Sequence, residues 1–273
     1  MVLSSAGGSL QLEERPDPRP GHGDLLIRVE ACGVCRTDVH ILDGDLPEIR
    51  HPIVPGHEIV GIVEAVGAGV PTARLGTRVG VPWLGGTCGH CPYCAADREN
   101  LCDRPVFTGL TRDGGFATHV VARSDFSFAL KGFDDPVAVA PLLCAGLIGW
   151  RSLKLCGDAH RIGLYGFGAA AHIIAQVCRW QGREVHAFTR PGDLAQAAKR
   201  IVGIHGHGLV GVGHRFERPH RLARAQCVRH ALPAHPKVGV VHRPGLRRCI
   251  RPKHALLGDV HPRACVKDVG HPA

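Results

Sequence analysis

Residues 56–70, GHEIVGIVEAVGAGV, set a histidine and a carboxylate side by side at the start of an apolar run that glycines interrupt at Gly61 and close at Gly67 and Gly69. The run from Glu58 to Val66 reads as a strand, since its β-branched residues suit a pleated, half-buried surface and glycine-rich turns bound it. His57 and Glu58 alone do not make a site. A thiol stands upstream, Cys35, in CGVCRTDVH, residues 32–40. One thiolate, one imidazole and one carboxylate gathered by the fold make a mixed metal site that can keep a coordination position open for substrate.

A second donor set is tighter. Cys88, Cys91, Cys94 and Cys102 are spaced C-x2-C-x2-C-x7-C. Four thiolates on one loop can close a tetrahedron around a borderline-soft cation with no open position, which is what a structural zinc needs. Gly85, Gly86, Gly89 and Pro92 supply the backbone reversals that bring four sulfurs together. Two disulfides would use the same four residues. The other eight cysteines, Cys32, Cys35, Cys144, Cys156, Cys178, Cys227, Cys249 and Cys265, are scattered, and no secretory signal precedes them, so reduced thiols are expected.

Around these sets the organisation is mixed α/β. Residues 25–30 place Leu25, Ile27 and Val29 on one strand face, and residues 118–122 read as another strand, which together suggest a barrel-like β domain. Residues 136–150 form an apolar stretch of fifteen with two prolines, short of the ~18–20 residues that span a bilayer, and are expected to form one buried helix carrying Cys144. Residues 161–165 read as a short strand. Gly166-Phe-Gly-Ala-Ala-Ala171 then opens a helix to about Trp180, and residues 183–188 form a second strand. Strand, glycine turn and helix in that order make a dinucleotide-binding context, in which Gly166, Gly168 and Ala171 let helix-terminal amides face a pyrophosphate. The second strand is followed by Thr189-Arg190 instead of ending on a carboxylate. That pair removes repulsion and adds attraction for a 2′-phosphate, so NADP is expected over NAD.

The chain resembles the zinc-dependent alcohol dehydrogenases of the medium-chain dehydrogenase/reductase superfamily. Their signature G-H-E-x2-G-x5-G-x2-V is matched without a gap from Gly56 to Val70, and the four-cysteine lobe matches as well. The resemblance implies a chaperonin-10-like catalytic domain over residues 1–153, a partial Rossmann-type nucleotide-binding domain over 154–200, and two Zn2+, one catalytic and one structural. Cys35, His57 and Cys144 become catalytic ligands, with Glu58 as an alternate ligand or a group holding the others. Cys88, Cys91, Cys94 and Cys102 take the structural ion. Thr37 would pass the proton of the substrate alcohol away from the metal, with His40 either continuing the relay or serving as a hydrogen-bonded surface histidine. Asp38 would orient a ligand, and Trp83 would line the substrate pocket or pack in the core. The substrate implied by the resemblance is a small alcohol or aldehyde, oxidised or reduced by hydride exchange with the nicotinamide. Homo-oligomers are expected for the family.

Composition divides the chain. Residues 1–200 carry 20 Lys+Arg against 21 Asp+Glu, whereas residues 201–273 carry 13 against 3, so the whole formal charge of +9 comes from the last part. That part also holds 10 of the 19 histidines and seven prolines, and no periodic apolar run long enough for a helix. It is expected to be an irregular, basic tail. Three origins are open for it: a departure of the reading frame near residues 198–206, a solvated arm for nucleic acid or an acidic partner, or a divergent folded region. The scarcity of aromatic residues argues against nucleic acid. The departure of frame leaves an incomplete Rossmann domain, and with it the alternative of a non-catalytic dehydrogenase remnant that only binds zinc. The N-terminus has neither a basic start nor a long apolar core, so no export signal or membrane association is expected and the location should be cytoplasmic.

Overall fold

A computed structural model describes residues 1–46 and 49–189, together with the strand backbones at 205–208 and 227–228. In chain order the strands and α-helices are β1 (Asp24–Gly33), α1 (Arg36–Asp43), β2 (Glu58–Val66), β3 (Arg78–Val81), β4 (Leu84–Gly86), α2 (Pro92–Ala95), β5 (Val106–Phe107), β6 (His119–Arg123), β7 (Phe128–Ala129), α3 (Pro136–Val139), α4 (Ala145–Lys154), β8 (Arg161–Tyr165), α5 (Ala169–Trp180), β9 (Glu184–Thr189), β10 (His205–Gly208) and β11 (Cys227–Val228). They fall into two compact units, residues 1–144 and 145–273. The expected boundary at 153 therefore moves to the amino end of α4, because that helix packs on α5.

In the first unit an antiparallel sheet runs in the order β6-β1-β2-β3-β7. The alternation read from the sequence becomes one buried face: Leu25, Ile27, Ile59, Val63, Val79, Val81, Val120 and Ala122 form a single apolar cluster. At ~25 cal/mol per Å2 of apolar area, each such side chain contributes roughly 1.5–3 kcal/mol on burial. The central strand β2 is covered on its other face too, where Val60 packs with Val139 and Ala140. Gly61 is required there by close approach, since a Cβ would run into the Arg28 carbonyl and the Ile27 side chain.

The second unit holds a parallel sheet in the order β10-β9-β8-β11. Its core is Ile162 and Leu164 from β8, Val185 and Ala187 from β9, and Ala171, Ile174, Ala175 and Cys178 from α5, with Leu153 of α4. The apolar positions of α5 recur at helical spacing on the face turned to the sheet. Gly149 of α4 lets α5 come close, because a Cβ there would strike Ile174.

Two sequence expectations change. Residues 136–150 do not form one helix: α3, a 3-10 turn over Ala140–Leu143 and then α4 follow one another, with a bend of 51° at Cys144. Pro141 lacks the N–H that a continuous helix would use. No single helix among the described residues is long and apolar enough to cross a membrane. The expectation of an irregular tail after residue 200 also fails in two places. β10 pairs with β9 and β11 with β8, which widens the sheet from the two expected strands to four. Both strands are short, and pairing along the sides of β9 and β8, rather than local propensity, makes them. The tail's remaining residues lie outside the described part.

Candidate metal centres

Cys35 sits at the N-cap of α1 in extended geometry. Its Sγ accepts from the Thr37 amide at 3.2 Å, while Asp38 Oδ2 accepts from the Cys35 amide at 2.8 Å. This reciprocal capping box fixes the thiol and the Asp38 carboxylate together at the start of α1. His57 and Glu58 are placed by the entry to β2. Gly56, at φ +97°, turns the chain there, and a Cβ on it would meet Phe116 at 2.7 Å and Cys32 Sγ at 2.8 Å. Glu58 lies over Gly33, the only residue type whose lack of a side chain leaves that space. Cys144 comes from the bend between Ala140–Leu143 and α4.

These four residues, from three distant stretches of the sequence, converge. One donor atom from each of Cys35, His57, Glu58 and Cys144 lies within 4.8 Å of all the others. Cys35 Sγ is 3.1 Å from His57 Nε2. His57 is fully buried, and its other ring nitrogen faces Asp38 Oδ1 at 3.4 Å, long and misaligned for a hydrogen bond. Asp38 is the carboxylate that faces Nδ1 while Nε2 is turned to the cluster.

The electrostatics are those of acids crowded together. The Cys144 thiol, as hydrogen-bond donor, pulls Cys35 down to about 3 against its burial, with His57 adding to the effect. Cys144 is pushed up by that same hydrogen bond and by burial. Burial, then the negative charge on Cys35, lifts Glu58 to about 7. Burial alone would lower His57, but Asp38 and Cys35 outweigh it and hold the ring up at about 9. A divalent cation among these donors would cancel their repulsion, and two sulfurs, an imidazole and a carboxylate are a donor set that suits zinc.

The second cluster is just as clear. Cys88, Cys91, Cys94 and Cys102 bring their sulfurs within 4.8 Å of one another. Cys91 Sγ is 3.5 Å and Cys88 Sγ 4.0 Å from Cys94 Sγ, too far for a disulfide bond. A tetrahedral ion with ~2.3 Å metal–sulfur bonds has sulfur edges of about 3.8 Å, between those two values. Backbone amides already point at the sulfurs. Those of Cys88 and Arg104 donate to Cys102 Sγ at 3.2 and 3.4 Å, and that of Cys94 donates to Cys91 Sγ at 3.5 Å. The His90 amide is the main group drawing Cys88 down to about 6, and the Asp103 and Cys94 amides lower Cys91. Cys94 is held up at about 11 by burial first and then by Cys91.

The remaining expected residues are placed as follows. Thr37 is half-buried in the first turn of α1. His40, one turn on, pairs through Nδ1 with Asp45 at 3.0 Å. Trp83 packs in the core. Its ring stands edge-on to His57 at 5.0 Å and stacks on Phe107 at 4.9 Å, while it packs beside the cluster of Leu3, Ile41, Ile53 and Leu110. Sequence reasoning missed α1 itself. Cysteine is an unusual N-cap, but Asp38 three residues on and Gly44 in the left-handed cap position were legible signals.

In the second unit, Gly166 turns the chain at φ +87° between β8 and α5, and Gly168 is the N-cap of α5. A Cβ on either would meet no atom of the described residues within 4 Å. Ala171 is buried in the helix–sheet contact, where a third small residue is needed. Thr189 ends β9 and is buried; Arg190 lies outside the described residues.

Comparison with known proteins agrees with this arrangement. Residues 21–132 match the model of the alcohol dehydrogenase GroES-like domain. A protein named "Probable alcohol dehydrogenase AdhA" from Mycobacterium tuberculosis is 49% identical over 192 residues, 67% of this chain and 55% of that protein. Among solved structures, a cobalt- and zinc-bound thermostable alcohol dehydrogenase from Pyrobaculum aerophilum superposes with a TM-score of 0.67 at 26% identity, covering 75% of this chain and 63% of that one. CAD from Helicobacter pylori, complexed with NADP(H), gives 0.63 at 28% identity, covering 69% and 57%. Other matching structures hold NAD. This chain thus spans little more than half the length of the curated relative. Over the part that matches, it belongs to the zinc-dependent alcohol dehydrogenase family of the medium-chain dehydrogenase/reductase superfamily.

Proposed function

We propose that this protein is a zinc-dependent alcohol dehydrogenase that exchanges hydride reversibly between an alcohol or aldehyde and a nicotinamide cofactor. The observation that carries this reading is the convergence of Cys35, His57, Glu58 and Cys144 within 4.8 Å, with His57 and Glu58 inside the matched signature from Gly56 to Val70. Cys35, His57 and Cys144 would hold the catalytic ion, and Glu58 would serve as the alternate donor. Zinc there would supply Lewis acidity, making the hydroxyl of an alcohol easier to deprotonate and polarising an aldehyde. Thr37, two residues past Cys35, takes the proton at its hydroxyl. His40, one helical turn further and paired with Asp45, passes it toward solvent. Asp38 keeps the imidazole of His57 in the tautomer that leaves Nε2 free to ligate, and the ring of Trp83 holds it in place. The four-cysteine lobe would carry a second, structural zinc.

The nucleotide reading rests on the turn from Gly166 to Ala171, whose open space and helix-terminal amides suit a pyrophosphate. NADP is preferred over NAD because a threonine and an arginine follow β9 in place of a carboxylate. NADPH is therefore expected to bind more tightly than NADH, and Arg190→Ser to reduce that preference about 10-fold. Tighter NADH binding to the unaltered protein would overturn the assignment.

Asp38→Asn is a sharper test of the catalytic centre. The amide keeps the shape but loses the charge that orients His57, and loss of such a support costs about 10–100-fold in metal affinity. Zinc titration should show that loss at one site, with the lobe unaffected. Affinity equal to wild type would remove Asp38 from its role. The function itself is tested by alcohol-dependent reduction of NADP across a panel of primary and secondary alcohols.

A further inference from the structure

The imidazole of His57 is turned as a ligand should be, yet no hydrogen bond among the described residues locks Nδ1. That atom and Asp38 Oδ1 are both buried without a hydrogen-bond partner, 3.4 Å apart, so the contact steers the ring only weakly. A buried ring held by no hydrogen bond on that side is held by the side chains packed against it. The aromatic ring packed on His57 is that of Trp83, at 5.0 Å between centroids and 77° between planes. Trp83 is backed in turn by Phe107, stacked on it at 4.9 Å and 24°. Phe107 is firmly anchored. Its amide donates to Thr111 Oγ1 at 2.8 Å, and its carbonyl accepts from the amides of Leu110, Thr111 and Arg112 at 3.3, 3.0 and 3.2 Å. The strand ladder joins the same two stretches: Leu84 is in register with Phe107, and the Thr108 amide donates to the Trp83 carbonyl at 2.9 Å.

We propose that Phe107 is a positioning residue for the catalytic metal centre: held by the turn over residues 107–112, it backs Trp83 and so fixes the imidazole of His57 with Nε2 toward the other donors. Phe107 is not one of the four donors and acts through Trp83. A smaller aliphatic side chain at 107 leaves a gap behind the indole, which relaxes into it. His57 then gains freedom to rotate, and Nε2 is aligned with the ion for less of the time. Loss of a group that orients a metal ligand costs about 10–100-fold in metal affinity.

The inference rests on the reading of Cys35, His57, Glu58 and Cys144 as a metal centre, though not on the reaction assigned to it. The test therefore reads the metal without alcohol or cofactor. The full chain, with zinc in the lobe and the catalytic centre emptied, is titrated with cobalt(II), whose visible bands report ligand number and geometry. Phe107→Leu is expected to weaken cobalt binding about 10-fold and to alter the bands, while Phe107→Tyr, which keeps the ring, restores both. Wild-type affinity and bands in Phe107→Leu, a Phe107→Tyr protein as impaired as Phe107→Leu, or a lowered Tm with the cobalt bands unchanged would overturn the proposal. Should Phe107→Leu not fold, Thr111→Val, which removes only the hydroxyl that holds the Phe107 backbone, is read in its place. The same change in smaller measure supports the proposal, and wild-type bands and affinity overturn it. A chain that binds cobalt as expected in every variant yet oxidises no alcohol would overturn the assigned reaction and leave the role of Phe107 standing.

Discussion

Cys91→Ser is expected to release one zinc per chain and to open residues 88–102 to protease, at a local cost on the order of 4 kcal/mol or more, the range reserved for losing a metal or a core. The reason lies in what the lobe lacks. Between residues 85 and 103 the buried apolar residues are Cys91 and Cys102 themselves, while His90, Pro92, Tyr93 and residues 95–98 are exposed. With so little to bury, the folding energy of the loop has to come from the metal. Zinc content and protease sensitivity equal to wild type would refute it. Chelation of the unaltered protein should reproduce the mutant's pattern, with cleavage in the lobe preceding any in the sheet β6-β1-β2-β3-β7, whose apolar cluster does not depend on an ion.

His57→Ala is the second large effect. The imidazole is fully buried, contributes the only nitrogen donor of the centre and is flanked by Asp38 and Trp83, so its removal cannot be compensated by solvent or by a neighbour. Alcohol oxidation should fall on the order of 10³-fold or more, the upper end of what loss of one preorganised electrostatic group costs. The structural zinc should remain, since no atom of the lobe takes part in the cluster around His57. Retained turnover would take His57 out of the catalytic set. Loss of both zinc ions would mean that the two centres are not independent.

The sites were more legible in the sequence than the path of the chain between them. Cys88 to Cys102 and Gly56 to Val70 could be read because coordination and tight turns demand particular residue types at particular spacings. β2 and β8 fell where short apolar runs and the glycines beside them put them. The bend at Cys144 was hidden by composition: residues 136–150 are apolar throughout, and hydrophobicity does not record where the helical hydrogen bonds stop. Pro141 was the visible clue. β10 and β11 had no local signal, since Gly206 and Gly208 weaken any strand and the pairing partners lie 19 residues upstream of His205 and 64 upstream of Cys227. The contact of Trp83 with His57 is a tertiary fact that spacing cannot give. Arg190, on which the cofactor preference partly rests, lies outside the described residues.

The account stands most directly on alcohol-dependent formation of NADPH by the zinc-loaded chain, measured before and after removal of the metal with a chelator and again after zinc is restored. It predicts turnover that disappears with chelation, returns with zinc, and is absent at every stage from the His57→Ala protein. Turnover that survives complete removal of zinc, or a zinc-loaded protein that binds NADPH yet oxidises no alcohol in the panel, would contradict it.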